Sequence, residues 1–350
     1  RDELLQAQDH ELLEVAMGVL QMQERDMCRS FVRKDIYGRF FSCMVYVPRE
    51  RYNTALRRET QQILAKEFGS QDKVEFTTFF SESILARTHY TVRVADNNIE
   101  FNVKDIERNL IEAARTWEDK LQSVLLERAG EATGNELNRK YSHAFARAYK
   151  DQVLPSAAVV DIEKLERLTD ENQLEMLFYR PQEATANEVS LSLYHKDEPI
   201  HLSAIMPMLE NFGLRVIGET PYSVKTSDGQ VNWIMDFTML LGNTAEGDFS
   251  ASSERFQNAL TDVWYNRLEN DGFNRLILSA GLGGREASIL RAYAKYIRQI
   301  GVTFSQSYIE STFERYPELA QQLVDLFDKK FNPKAKYTEK SFDKLVAQIH

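Results

Sequence analysis

The clearest hydrophobic pattern in the chain lies at residues 37–69. Apolar side chains occur on both sides of a two-residue repeat over 40–47, with Phe41, Cys43 and Val45 on one side. This pattern predicts a strand that is covered on both faces. Pro48 ends the strand, Asn53 can cap a helix, and a helical apolar stripe then runs to a glycine at 69. The stretch therefore predicts a strand, a turn and a helix in succession.

Further alternating segments surround this pair. Residues 31–34 precede it, and residues 74–80 and 86–94 follow it. Together they predict a four-stranded antiparallel sheet with one long helix, in the order ββαββ, over about residues 29–96.

The same order returns later in the chain. Alternation over 174–180, 189–194, 214–218 and 231–239 predicts four strands, and Ser203 can cap a helix that ends at Gly213. We interpret this as a weak internal repeat of topology. The fold class is therefore α+β, with two ββαββ units and antiparallel sheets that alternate with helical bundles.

Helical periodicity fills the remaining chain. Residues 103–128 predict one long helix, broken by Gly130 and Gly134, and nearly everything after 256 is helical. Helical patterns also reach both ends, and the chain starts without methionine, which predicts a piece of a longer polypeptide. The predicted domains are a leading helix (1–28), an α+β unit (29–98), a helical motif (99–172), a second α+β unit (173–245) and a second helical motif (246–350).

Composition and charge exclude several classes of protein. The chain has 350 residues, 43% of them hydrophobic and 27% charged, which is ordinary for a globular protein of several modules. Its formal net charge of −10 argues against nucleic acid or an anionic membrane as the partner. Two cysteines, Cys28 and Cys43, form neither a disulfide framework nor a zinc site, which favours the cytoplasm.

No catalytic constellation stands out in the sequence. The glycine-rich stretch 281–284 lacks the third glycine and the preceding strand of a dinucleotide-binding loop, so an interhelical turn is the better interpretation. The six histidines show no metal spacing. We therefore predict no catalytic residue and no metal site.

Two surfaces could bind a small ligand. The first is a pair of strand-to-helix turns, Pro48–Asn53 and His195–Ser203, because a helix N-terminus favours an anion. The second is the strand face with Arg87, His89 and Arg93. The alternative interpretation of these residues is helix capping, or a strand face exposed to solvent.

Six separated stretches resemble one enzyme family. They are YGRFFSCMVYVPRERYNT, SESILARTHYTVRV, TWEDKL, PMLENFGLRVIGETPY, ENDGFNRLILSAGL and LRAYAKYIRQIG. Together, from near residue 1 to about 333, they resemble the large NAD-specific glutamate dehydrogenases of bacteria.

This resemblance implies a regulatory segment upstream of the catalytic domain. The two units would be ACT-like domains of ferredoxin-like fold, and the helices between them helical motifs. The parent enzyme would oxidise glutamate to 2-oxoglutarate with NAD, whereas this segment would hold no cofactor and would be inactive. Its partners would be the rest of its own polypeptide, further copies in a homo-oligomer and an amino acid effector.

The same resemblance locates the effector site. ACT domains commonly bind amino acids near the loop from the first core strand to the first helix, which implies effector contacts from Arg51, Asn53, His195 and His201. Neither loop carries the glycine that amino-acid-binding ACT domains usually place there. This departure favours the alternative, a purely structural oligomerisation scaffold without a ligand.

Overall fold

The computed structural model describes residues 7–22, 25, 27–79, 83–95, 99–182, 184–185, 187–242, 249–333 and 346–347. The chain divides into two compact units, Arg1–Ser123 and Val124–His350. No helix in the described ranges is long and apolar enough to cross a membrane.

The first unit is built around a four-stranded antiparallel sheet. Its strand order is β1-β2-β4-β3, so β1 and β3 are the edges. The elements are α1 (Asp9–Met22), β1 (Arg29–Lys34), β2 (Phe40–Pro48), α2 (Thr54–Glu67), β3 (Glu75–Phe79), β4 (Leu85–Arg93), α3 (Val103–Ala113) and the start of α4 (Trp117–Tyr141).

The alternation in β2 produces the core of this unit. Phe41 and Cys43 are fully buried on the face that α2 and α3 cover. The Phe41 ring stacks on Phe68 with 4.3 Å between centroids, and Leu64 and Ile106 pack into the same cluster from the two helices. The predicted strand, turn and helix are confirmed.

The single helix predicted over 103–128 is wrong. Helix α3 ends at Ala113 and α4 begins at Trp117. Thr116 and Asp119 form a reciprocal cap, because each backbone N–H donates to the other side chain at 3.0 and 3.1 Å. Such a capping box satisfies the orphan donors of a new helix, so it starts one here.

The second unit begins with a reversal inside the α4 range. Gly130 has a φ of +78°, which ends the first helical run as predicted. A Cβ at Gly134 would lie 2.8 Å from the Leu125 carbonyl oxygen. Glycine at this position therefore lets the following run pack directly on the backbone of the preceding one.

A second four-stranded antiparallel sheet follows, with the strand order β5-β6-β8-β7. Helices α7 and α8 cover one face, where Leu191, Phe237, Leu209 and Phe256 are fully or almost fully buried. The elements are α5 (Arg147–Gln152), α6 (Pro155–Leu165), β5 (Leu174–Tyr179), β6 (Glu188–Lys196), α7 (Leu202–Asn211), β7 (Leu214–Lys225), β8 (Val231–Leu241) and α8 (Phe249–Trp264).

Each of the two sheets therefore belongs to an α+β unit of its own, and the two units have the same arrangement, as predicted. Each sheet unit follows the path ββαββα, with its two helices on one face. If the first strand is counted last, the path reads βαββαβ, that of a ferredoxin-like unit.

A helical bundle closes the described part of the second unit. It holds a 3₁₀ turn (Gly272–Asn274), α9 (Arg275–Ser279), α10 (Gly284–Gln299), α11 (Gln306–Arg315) and α12 (Pro317–Phe331). The glycine-rich stretch 281–284 is an interhelical turn, in which the Gly283 N–H donates to Glu286 Oε2 at 2.7 Å. The Arg291 guanidinium is buried and binds both carboxylate oxygens of Asp271.

Candidate functional site

The turn Pro48–Asn53 uses its side chains to stabilise its own surroundings. Asn53 is the N-cap of α2, where its Oδ1 accepts from the Leu56 N–H at 2.9 Å. Its Nδ2 donates to the Arg51 carbonyl oxygen at 3.3 Å, so these two predicted residues lie together. Arg51 also forms a 3.2 Å ion pair with Asp119, and about a third of its side chain is exposed.

His195 lies in strand β6 and not in the predicted strand-to-helix turn His195–Ser203, so this part of the prediction is wrong. Strand β6 continues to Lys196, and the alternation directs His195 to the same face as Leu193. The imidazole is 7% exposed, its Nδ1 lies 2.8 Å from the Glu198 carbonyl oxygen, and its ring meets Trp264 edge-to-face.

His201 is the exposed N-cap of α7. Its side chain makes no capping bond, and the predicted cap, Ser203, lies inside the first turn instead. The structure therefore places one of the two predicted histidines inside the protein and the other at the surface.

The sequence did not predict a largely buried polar cluster on the other face of the second sheet. Asp161 of α6 accepts a hydrogen bond from the Tyr194 hydroxyl at 2.7 Å and a second, short one from Tyr149 of α5. Nearby, the Ser192 hydroxyl donates to Asp236 of β8. We call these five residues the Asp161 cluster.

Burial sets the protonation of this cluster. It raises the pKa of Asp161 to about 6; the two tyrosine hydrogen bonds act in the opposite direction, and the charge of Asp236 adds to the rise. Burial likewise raises the pKa of Asp236. The pKa values of Tyr149 and Tyr194 are also raised, by burial first and then by Asp161, so both hydroxyls stay protonated and donate.

Two local features of the sequence carried this signal. Asp161 interrupts an apolar run in α6, between the buried Val159 and Ile162. Tyr194 lies on the polar side of the β6 alternation, yet it is fully buried. A carboxylate within an apolar helix face needs a hydrogen-bond donor when it is removed from water, and a tyrosine on a strand can supply that donor.

The first sheet has an open polar cleft on its corresponding face. The cleft has a volume of about 430 Å³ and is lined by Lys73, Glu75 and Thr77 near edge strand β3, together with His89 and Thr91 of β4. His89 Nε2 lies 2.8 Å from the Ser42 hydroxyl. This cleft belongs to the predicted strand face of Arg87, His89 and Arg93 and offers polar groups of both charges.

The described parts of the two units contain no metal-binding site. No group of three or more histidine, cysteine or carboxylate side chains there could hold a metal ion. Cys28 and Cys43 form no disulfide.

Models of one enzyme family match most of the chain in five consecutive pieces. In chain order they are helical motif 1 (residues 1–25), the ACT2 domain (29–118), helical motif 2 (124–168), the ACT3 domain (173–252) and helical motif 3 (268–333), each described as part of glutamate dehydrogenase. The two ACT matches contain the two sheets.

Three curated relatives are similar over nearly the whole chain. The NAD-specific glutamate dehydrogenases of Pseudomonas aeruginosa, Halomonas elongata and Mycobacterium tuberculosis are 38%, 37% and 36% identical and cover 98%, 100% and 95% of it. The chain spans only 21–22% of their lengths. These matches confirm the resemblance seen in the sequence: the chain belongs to the NAD-specific glutamate dehydrogenase family, as a segment of two ACT domains and three helical motifs.

Proposed function

We propose that this chain is the regulatory and assembly segment of a cytoplasmic NAD-dependent glutamate dehydrogenase. The whole polypeptide would convert L-glutamate, NAD⁺ and water to 2-oxoglutarate, ammonium, NADH and a proton. The segment itself would bind no NAD. It would contact the catalytic domain of its own polypeptide and further copies of itself, and it would bind neither nucleic acid nor membrane.

The edges of the two sheets are the observation that supports this role. On edge strand β3, Phe76 is 42% exposed to solvent and Phe79 is 44% exposed. On edge strand β7, Ile217 is 54% exposed. Arg57 and Arg87 lie over the two phenylalanine rings, at 4.1 and 4.7 Å from their centroids. Edge strands that carry apolar side chains are templates for pairing with another copy, so they suit assembly.

An amino acid effector would act at the strand-to-helix turns. Arg51 is partly exposed beside the N-terminus of α2, and His201 is exposed at the N-terminus of α7, where a carboxylate is favoured. Asn53 and His195 would shape these turns through the bonds described above. Regulation would follow if the effector binds one subunit arrangement more tightly than another.

A scaffold without a ligand is the second candidate function. Its support is that Asn53 and His195 already bond within the chain, and that Arg51 pairs with Asp119. The two candidates differ only in whether an effector binds, so the following tests separate assembly from sensing.

The parent reaction is tested by assaying glutamate-dependent NADH formation. We expect activity from the complete polypeptide that contains this segment and none from the 350-residue chain. Glutamate-dependent NAD reduction by the chain alone would contradict the assignment, whereas loss of effector binding would leave it untouched.

Assembly is tested by sedimentation of the native chain and of Phe79→Asp. We expect the native chain to self-associate and the variant to shift toward a lower mass. Ile111→Asp is the matched control, because Ile111 is half exposed on a helix rather than on a sheet edge. A monomeric native chain would contradict the assembly role.

Effector binding is tested by thermal unfolding with each common amino acid. A ligand at about 100 times its Kd stabilises its unit by roughly 2.7 kcal/mol, which visibly raises the melting temperature. Arg51→Ala and His201→Ala should reduce that rise, while Arg147→Ala, on a side chain 93% exposed, should not. No rise with any amino acid at millimolar concentration would support the scaffold.

A further inference from the structure

A recessed apolar groove lies in the helical bundle of the second unit, between α10, α11 and α12. It has a volume of about 540 Å³, which is within the range of small-molecule sites. Leu290 and Ala294 line it and are each 3% exposed, so they form its floor. Phe304 and Phe331 also line it and are 54% and 56% exposed, so its margin is open to solvent.

Two helical stripes give this groove its length. The lining residues of α10 run from Ile289 to Ile297, and those of α12 run from Leu323 to Phe331, eight positions in each case. Eight positions along a helix span about 12 Å at 1.5 Å per residue. Helix α11 and the linker before it complete the wall with four further apolar side chains, Val302, Phe304, Ile309 and Phe313.

The charge of the groove is confined to one end. Among the described residues that line it, Lys330 is the only charged one, and the others are all aliphatic or aromatic. Lys330 is exposed in the last turn of α12, at the end of the α12 stripe. Its Nζ lies 5.6 Å from the centroid of the Phe331 ring, so the cation borders the apolar wall. This arrangement is complementary to a molecule with an apolar tail and an anionic head.

The dimensions and the placement of the charge favour a single tail. An extended chain gains about 1.2 Å per bond, so about ten bonds match the length of the two stripes. An anionic head at an exposed cation stays in contact with water and avoids the cost of burying a charge. A protein interface, by contrast, usually surrounds its apolar centre with a polar rim.

We propose that this groove binds a medium-chain fatty acid. The tail lies along the stripes of α10 and α12, and the carboxylate pairs with the Lys330 ammonium. The ligand contacts three helices at once, so it stabilises the bundle by mass action. None of the four predicted effector contacts, Arg51, Asn53, His195 and His201, lines the groove, so the fatty acid is a ligand of a second class.

Calorimetric titration of the 350-residue chain with octanoate, decanoate and dodecanoate tests the proposal. Each methylene moved from water into the groove should lower the Kd about fourfold, so the affinity should rise with tail length until the tail exceeds the groove. Decanol has the tail of decanoate without its charge and should bind up to about fivefold more weakly, which is the range of ion pairs in contact with water.

Variants separate recognition of the tail from recognition of the head. Ile297→Asp places a charge in the groove wall and should abolish decanoate binding, whereas Ile217→Asp, at an exposed position on β7 of the same unit, should leave it intact. Lys330→Met should weaken decanoate binding by up to about fivefold and leave decanol binding unchanged. Lys329→Met, in the same turn of α12, should change neither. Circular dichroism checks that each variant is folded.

Five results would overturn the proposal. They are an affinity independent of tail length, decanoate binding that survives Ile297→Asp in the folded variant, and equal effects of Lys330→Met and Lys329→Met. The fourth is decanoate binding that strengthens as the chain is diluted, which would assign the groove to another copy of the chain. The fifth is retention on phosphatidylglycerol vesicles without binding of free decanoate, which would assign it to a lipid surface.

Discussion

The two sheets share one topology and differ in what covers their second face. In both, the face toward the paired helices is apolar and fully packed. On the other face, the first sheet carries the Ser42–His89 contact and the open cleft beside β3. The second sheet instead faces α6, and two partly buried carboxylates, Asp161 of α6 and Asp236 of β8, lie between them.

This difference separates what the fold requires from what it permits. A single apolar face is enough to hold a sheet and two helices together, so alternation specifies the shared topology. The second face is free to differ, and in the second unit it holds groups whose charge depends on pH. We therefore expect equal dependence on core packing in the two units and unequal dependence on pH.

The largest effects should come from equivalent core positions in the two units. Leu64 of α2 and Leu209 of α7 are both fully buried against their sheets. Replacing either leucine by alanine should lower the free energy of unfolding of its own unit by about 2–5 kcal/mol, through lost burial and a cavity. Native-state hydrogen exchange, read separately in each unit, measures this loss.

Exposed leucine and isoleucine positions provide the controls. Leu154→Ala in the second unit and Ile111→Ala in the first remove side chains that are 71% and 50% exposed, and each should change stability by less than about 0.5 kcal/mol. If Leu64→Ala accelerated exchange only in the second unit, the division into two cores would be wrong.

The next effect belongs to the second unit alone. The pKa of Asp161 is about 6 in the fold and 3.8 ordinarily, so the folded state holds this proton more tightly. The contribution of Asp161 to the free energy of unfolding is therefore fully present below pH 3.8 and is lost as the pH rises to about 6. Above that pH the free energy of unfolding is lower by about 3 kcal/mol than it is below pH 3.8. Asp161→Asn removes the titration, so its stability relative to the native chain should rise across that range in urea denaturation.

Asp170 provides a control of opposite sign. A hydrogen bond from Lys196 lowers the pKa of this exposed carboxylate, so its contribution is present above pH 3.8 and is lost as pH falls. Asp170→Asn should therefore lose stability relative to the native chain as pH rises. Matching pH profiles for the two variants would rule out burial as the cause of the Asp161 effect.

The sequence predicted the elements that depend on local pattern. The β2 and β6 alternations, the Asn53 cap and the helix break at Gly130 all lie where expected, because each depends on neighbouring residues. The α+β class followed from the same patterns, and the family from longer stretches. The sequence analysis missed the break between α3 and α4 because the apolar periodicity continues across it. The residues of the capping box, Thr116 and Asp119, were nevertheless present in the sequence.

The candidate site was harder to predict for a physical reason. Whether a polar strand face meets solvent or a helix depends on tertiary packing, which no local pattern contains. His195 and Tyr194 both lie at positions that an isolated strand would leave open, and the second unit buries both. The polar alternation of β6 was visible, whereas its cover by α6 was not.

Helix capping should give a smaller difference between the units. Asn53 caps α2 through its side chain, whereas His201, at the equivalent position of α7, makes no such bond. Asn53→Ala should cost about 1 kcal/mol, His201→Ala should cost little, and His201→Asn should stabilise its unit. Thermal unfolding measures all three, and equal losses from the two alanine variants would contradict this assignment of caps.

The Arg51–Asp119 ion pair should have the smallest effect, although it joins the predicted turn to α4. Both side chains are about one-third exposed, and pairs in such contact with water contribute at most about 1 kcal/mol. Arg51→Met keeps the aliphatic part of the side chain and removes the charge. The loss of stability should therefore stay below that limit and shrink further in 1 M salt, where the Debye length is about 3 Å.

The contrasting pair is Arg291–Asp271 in the second unit, in which the arginine side chain is 3% exposed. Arg291→Met leaves a largely buried carboxylate without this partner, so it should lower the free energy of unfolding by about 3–5 kcal/mol, and salt should change that loss little. If Arg51→Met proved as costly and as insensitive to salt, the turn would be held by a desolvated charge pair, and an effector carboxylate could reach Arg51 only by displacing Asp119.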